Sequence, residues 1–497
     1  MSQRLILGPF NRVEGDLEVR LDVVDWRVTH AQVSAPMFRG FELMLCGRDP
    51  MDALTIVPRI CGICSVSQSV AAARALAVAC GVQAPANGVI ATNLILACEN
   101  LADHLTHFYL FFMPDFTREV YATRPWFKQA QLRFAALAGS ATGGLHSRQA
   151  LAARARWFEL IGILGGRWPH TGSVLPGGSS RTIEASERVR LLGKVREMRS
   201  FLEQCLFGSA LESVTALGDL TDLERWRERA PDSDLALFLE ISAQARLPEL
   251  GVGPGRYLSY GAYAQPDGHH AFAQGVWHAQ SQLVSSLDSR DISEDASHAW
   301  YDDSALRAPL HPMNGSTKPL ADKVGAYTWN KAPRLASQVC ETGAIARQLA
   351  DGQALIVDAV ATHGGCVTTR VLARLLEIAR IVPMMEAWLN DLVPGEAFHQ
   401  PHSVPEQGQG VGLTEAARGA LGHWLRIEKG KISHYQIVAP TSWNFSPRDA
   451  AGTPGALESA LVGAPIDGNG SGASSNQSVA VQHIVRSFDP CMVCTVH

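Results

Sequence analysis

Apolar and polar residues alternate along Leu17-Glu18-Val19-Arg20-Leu21-Asp22-Val23, and short runs of the same kind fill residues 4–35. A period of two predicts strands with one buried face, here a half-exposed hairpin. The period then changes. Leu191, Val195, Met198, Leu202 and Cys205 recur at four-three spacing, one apolar stripe along a helix. The segment from Leu94 to Phe112 is apolar on all sides although it carries Asp103, His104 and His107, which predicts a helix inside a core. Leu372 to Leu392 reads as another strong helix, kinked at Pro383. Alternation returns from Ile432 to Val438, and residues 463–478 (GAPIDGNGSGASSNQS) predict a mobile surface loop. The pattern predicts an α+β, predominantly helical fold: a large buried helical core with small peripheral β-sheets.

The length of 497 residues allows about three domains on average size, yet no internal repeat and no clean linker divides the chain. Residues 1–497 therefore read as a single unit. Apolar residues make up 46 % and charged residues 18 %, a balance suited to much buried surface or to a large partner interface. A net charge of −5 gives no reason to expect nucleic acid. No run approaches the ~18 apolar residues a membrane helix needs. The N-terminus has too short an apolar run for a secretory signal and lacks twin arginines, so the expected location is cytoplasmic. Of ten cysteines, Cys46, Cys80, Cys98, Cys205, Cys340 and Cys366 lie in apolar or mixed contexts that predict reduced core thiols.

The other four form two CxxC pairs almost at opposite ends: Cys61-Gly62-Ile63-Cys64 and Cys491-Met492-Val493-Cys494. Four thiolates from two tight turns can enclose one soft metal ion. A zinc knuckle closes within a few tens of residues, whereas this separation requires the whole fold. A structural zinc site is the other reading that the four sulfurs allow.

Further strings accompany them in order: Arg12-Val13-Glu14-Gly15, Phe38-Arg39-Gly40-Phe41-Glu42, Trp329-Asn330-Lys331-Ala332-Pro333-Arg334, Arg418-Gly419-Ala420-Leu421-Gly422-His423-Trp424, Trp443-Asn444 and Asp489-Pro490 before Cys491. Together with Arg59-Ile60 before Cys61, this set resembles the large, catalytic subunit of nickel–iron hydrogenases from residue 8 to the end. The resemblance implies heterolytic cleavage of dihydrogen, which needs a soft metal for hydride and a nearby base for the proton. It implies Cys61 and Cys491 as terminal nickel ligands, with Cys64 and Cys494 bridging to an iron that carries two cyanides and one carbon monoxide. Arg418, Thr441, Pro440, Leu421, Gln68 and Ala417 would surround those small ligands, and Asp103 and Asp489 would pair with Arg418. Glu14 would take the proton from Cys491. Glu42, the carbonyl of Ile437 and His497 resemble the ligands of a magnesium site, with ferrous iron the alternative that a histidine ligand raises. For Asp103 the residues alone allow a plain helix-face pair with His107. No further CxxC set exists for an electron relay, so iron–sulfur clusters are implied in a partner small subunit.

Three positions depart from the common pattern. Asp16 and Gln68 stand where catalytic members have histidines, and Ala417 where proline is usual. The Asp16 and Gln68 pair resembles the regulatory, dihydrogen-sensing subgroup, implying slow turnover and a histidine kinase reached through the complex. The alternative within the family is an energy-conserving uptake enzyme. Ile63 and Phe111 are bulkier than is frequent in the family, which predicts either a narrowed gas path or ordinary core packing.

Overall fold

The N-terminal alternation folds into an antiparallel sheet in the order β1 (Ser2–Leu7), β2 (Glu18–Val24), β3 (Arg27–Ser34). Val19, Leu21 and Val23 face inward while Glu18, Arg20 and Asp22 are partly exposed, as a period of two requires. The hairpin is thus present with one further strand. The computed structural model describes residues 2–137, 143–304, 309–466 and 478–495.

Helix α1 (Ser65–Cys80) leaves directly from the first CxxC, and α2 (Ala86–Thr106) continues into a wider π-turn over His107–Phe112. The apolar segment predicted from Leu94 is buried along its length to Thr106. Its π-turn is the kind of irregularity that often marks a functional region. Helix α3 (Ala185–Phe201) buries Leu191, Val195 and Met198 as predicted. Helix α4 (Val367–Asp391) contains Pro383 and continues past it as one helix.

Two antiparallel sheets flank this helical core. One is β4 (Arg256–Ala264), β5 (His270–His278) and β6 (Leu283–Ser285). The other is β7 (Gln407–Ala416), β8 (Gly419–Glu428) and β9 (Lys431–Val438). Helix α1 lies on β7 with almost no space between the backbones. A Cβ on Gly410 would stand 1.9 Å from the Ala75 carbonyl oxygen, and one on Gly412 would stand 1.9 Å from that of Ala71. Glycine at alternate positions of one strand face thereby sets the depth at which α1 and its preceding cysteines sit.

The chain returns through α5 (Val479–Ser487), whose Val481, Ile484 and Val485 join the core, and delivers Asp489 to Cys494 to the centre. There it meets the N-terminal Arg-x-Glu-Gly loop. Glu14 and Cys491 pair as a parallel bridge, and the Met492 amide donates to the Glu14 carbonyl at 2.7 Å. Gly15, at φ +80°, lets the loop approach so closely that a Cβ would meet Val493 Cγ1 at 2.9 Å.

Two expectations change. Residues 467–477 of the glycine- and serine-rich stretch lie outside the described residues, but its start is not a free loop. Gly463, Ala464 and Ile466 exchange backbone hydrogen bonds with Trp26 and Val28 along the edge of β3. Among the predicted core thiols Cys98, Cys340 and Cys366 are buried, whereas Cys46 is exposed and Cys80 and Cys205 are half-buried. A mixed sequence context does not specify which face of a short element carries the thiol.

Candidate metal centre

Both CxxC pairs converge on one point. Cys61 Sγ lies 3.3 Å from Cys491 Sγ, Cys64 Sγ lies 3.2 Å from Cys494 Sγ, and Cys491 and Cys494 are 2.9 Å apart. All four sulfurs are within 4.8 Å of one another, all four residues are buried, and none is in a disulfide. Their apolar surroundings include Ile60, Ala71, Ala72, Leu421, Ile437 and Ala439. In such a site the thiols share their protons unequally. Hydrogen bonds from the neighbouring sulfurs hold Cys61 well below the ordinary thiol range, while burial pushes Cys491 well above it. Only a bound cation allows several thiolates to coexist so close together. The donors are all sulfur, which fits a soft metal and not a hard one.

Arg418 sits at the two-residue turn between β7 and β8, since Ala416 pairs with Gly419. That tip reaches into the core, where the guanidinium has three partners. Nη1 donates to Asp103 Oδ2 at 2.8 Å, Nη2 to Asp489 Oδ1 at 3.1 Å and Nε to the Asp489 carbonyl at 3.0 Å. Both predicted carboxylates are therefore on it. Burial raises the Asp103 carboxyl to about 7 against the pull of Arg418, while Asp489 is held low by Arg418 and Arg374, which outweigh its burial. His107 does not pair with Asp103; its Nε2 lies 2.7 Å from the Arg486 carbonyl oxygen.

Gln68 is buried one turn into α1. Its Oε1 is 2.8 Å from His423 Nε2, and His423 Nδ1 is 2.8 Å from the Tyr435 hydroxyl. This chain fixes the amide, leaving Gln68 Nε2 buried without a partner among the described residues. The Thr441 hydroxyl accepts from the Cys491 amide at 3.2 Å and keeps its own proton to donate. An orphaned amide donor, a hydroxyl and a guanidinium with spare N–H groups suit acceptor ligands such as cyanide. Ala417 offers its carbonyl to Arg347 at 3.0 Å, and the Pro440 carbonyl lies 3.5 Å from the Thr342 hydroxyl. Leu421 packs with the cysteines, as does the partly buried Ile63. Asp16 is exposed and Phe111 half-exposed, so of the Asp16 and Gln68 pair only Gln68 is buried.

Glu14 is half-buried beside Cys491, and burial together with the Cys61 charge raises its carboxyl above the usual range. Glu42 and Ile437 do come together, but through the Ile437 amide, which donates to Glu42 Oε1 at 2.8 Å. Lys331 lies 3.8 Å from Glu42 and 3.5 Å from Glu294, and Thr495 lines the same small cavity. His497 lies outside the described residues.

Sequence reasoning missed two groups. Glu99 on α2 accepts from the Val66 and Ser67 amides (both 2.9 Å), the Ser65 and Ser67 hydroxyls (3.3 and 3.0 Å) and Trp168 Nε1 (3.0 Å). It thereby ties the start of α1, just past Cys64, to the helix that carries Asp103. A buried ion network also extends from Asp489 through Arg374, His104, Glu377 and Arg347 to Glu415, with separations of 2.7–3.4 Å. The available signal was Arg370, Arg374 and Glu377 interrupting one apolar helix at four-three spacing.

Four sulfurs gathered from both ends of a chain, with an ion-paired arginine beside them, define a site built to hold a soft metal. The model of the nickel-dependent hydrogenase family matches residues 39–138 and 141–497. The periplasmic [NiFeSe] hydrogenase large subunit of Desulfomicrobium baculatum is 31 % identical over 99 % of this chain and 95 % of its own length. The uptake hydrogenase large subunit of Rhodobacter capsulatus is 27 % identical over 100 % and 95 %. The reduced Ni-Fe-Se hydrogenase of Desulfovibrio vulgaris Hildenborough superposes with a TM-score of 0.82 at 30 % identity, covering 100 % of both chains. This chain belongs to the nickel-dependent hydrogenase family, as a large subunit.

Proposed function

We propose that this chain is the dihydrogen-oxidising large subunit of a two-subunit hydrogenase, passing electrons to an iron–sulfur small subunit. The four-sulfur cluster in a dry pocket, with Arg418 locked to Asp103 and Asp489 beside it, carries the reading. A nickel–iron centre bound there supplies the soft metal pair at which dihydrogen is split. Cys61 and Cys491 would hold nickel alone, and Cys64 and Cys494 would hold nickel and iron together. Gln68 Nε2, the Thr441 hydroxyl and the spare N–H groups of Arg418 would donate to the small ligands of iron, with Pro440, Leu421 and Ala417 closing the pocket around them. Glu14, raised by burial and adjacent to Cys491, would accept the proton from that sulfur and pass it outward. Glu42, Ile437 and His497 would bind magnesium near the chain end.

The names of the relatives favour turnover over sensing, since they are hydrogenase large subunits, one of them named an uptake enzyme and none a sensor. The regulatory reading now stands on Asp16 and Gln68, and of the two only Gln68 is buried. Among the described residues no helix is long and apolar enough to cross a membrane. The deciding measurement is infrared spectroscopy combined with nickel analysis of the assembled protein. Bands of bound cyanide and carbon monoxide with one nickel per chain are expected, and zinc without nickel would overturn the proposal. Rapid dihydrogen oxidation with a viologen dye separates the uptake role from a sensor.

A further inference from the structure

Away from the metal centre, a cavity of about 740 Å³ opens between the C-terminal half of α1, the following turn, strands β4 and β5, and β7. Its volume falls in the range of small-molecule sites, roughly 300–1,000 Å³. Its walls combine aliphatic residues, Val70, Val82 and Val174 among them, with polar ones such as Asn93 and Gln274, and among the described residues no aspartate or glutamate lines it. Into this space projects Arg74, a half-buried residue of α1. Its Nη1 donates to the Leu413 carbonyl at 2.7 Å, and among the described residues no carboxylate lies within ion-pair distance of it. The contrast with Arg347, Arg370, Arg374 and Arg418, each salt-bridged to a carboxylate, is plain. His270 also lines the cavity, where burial and the Arg74 charge lower its pKa and keep it neutral.

A guanidinium partly withdrawn from water without a counter-charge is less well solvated, and an anion on its open edge makes charge-assisted hydrogen bonds with it. The Leu413 carbonyl occupies one N–H group, leaving donors in a fork that matches a planar carboxylate. The aliphatic walls suit an apolar body of several carbons. We propose that this cavity binds a monocarboxylate amphiphile, with the carboxylate on Arg74, the His270 ring beside it and the hydrocarbon part against the valines.

The test uses the assembled protein with its small subunit and decanoate as probe, with decanol as the uncharged control, in isothermal titration. Decanoate is expected to bind, to weaken about tenfold or more in Arg74→Gln (about 1.4 kcal/mol) and to weaken less in Arg74→Lys. Decanol is expected to bind wild type and Arg74→Gln alike. Absence of decanoate binding at ~1 mM, or equal affinity in Arg74→Gln, overturns the proposal. A structure of wild type with decanoate tests it independently of whether the variants fold. The carboxylate is expected on Arg74, and an acidic side chain of the partner subunit found there instead also overturns it.

Discussion

Replacing Glu99 by glutamine isolates a buried carboxylate whose desolvation outweighs the hydrogen bonds made to it. The carboxylate accepts five hydrogen bonds, four of them from Ser65, Val66 and Ser67 directly after Cys64. Burial nonetheless raises it from 4.5 to about 7, because desolvation outweighs those bonds. At about 1.4 kcal/mol per pH unit, keeping it charged above pH 7 costs about 3 kcal/mol. The unfolded chain releases this proton near pH 4.5 and the folded one near 7, so stability falls as pH rises between these values and is level above. Glutamine removes that slope. Its oxygen can keep the bonds from Val66, Ser65 and Trp168, while its NH₂ faces the Ser67 amide and forfeits that bond, a loss of about 1–3 kcal/mol. Thermal unfolding of wild type and Glu99→Gln should therefore be compared from pH 5 to 8, where other groups cancel in the difference. The variant is expected to be close to wild type at pH 5, where folded Glu99 carries its proton, and to gain by about 2–3 kcal/mol relative to wild type by pH 8, with nickel retained. A difference that does not vary with pH would refute the argument, since Glu99 would then be titrating alike in both states.

Three further outcomes follow from the geometry. Arg418→Lys keeps one charge but cannot hold Asp103 and Asp489 at once; dihydrogen oxidation should fall by about 10²–10³-fold, given ~3–4 kcal/mol for a preorganised donor, while nickel content stays near wild type. Glu14→Gln should remove proton transfer from Cys491, so dye-linked oxidation is lost while the cyanide and carbon monoxide infrared bands persist; unchanged oxidation would place the proton route elsewhere. Gly412→Ala puts a Cβ 1.9 Å from the Ala71 carbonyl, which should push α1 off β7, cost about 1–3 kcal/mol or more and lower nickel incorporation, read by unfolding and metal analysis.

The apolar pattern identified the N-terminal hairpin, α3, α4 and the return of strands at β9 by the spacing of apolar residues, and the segment of α2 by being apolar all round, as a helix buried on every side must be. The motif strings likewise named the four cysteines, Arg418 and its two carboxylates, since a metal site demands particular residue types. Other features lay beyond that reach. The partners of Glu99 and the run from Asp489 to Glu415 join residues far apart in sequence, and a charged residue on an apolar helix does not reveal what it will face. The glycines of β7 carry no pattern until α1 is seen resting on them. Asp16 and Gln68 look equivalent in the chain, yet only Gln68 is buried, and the single carbonyl bond of Arg74 becomes meaningful only beside the cavity it lines. Local spacing determines which side of an element is apolar; the pairing of buried charges and the shape of voids are set by how distant elements pack, and so belong to the tertiary structure.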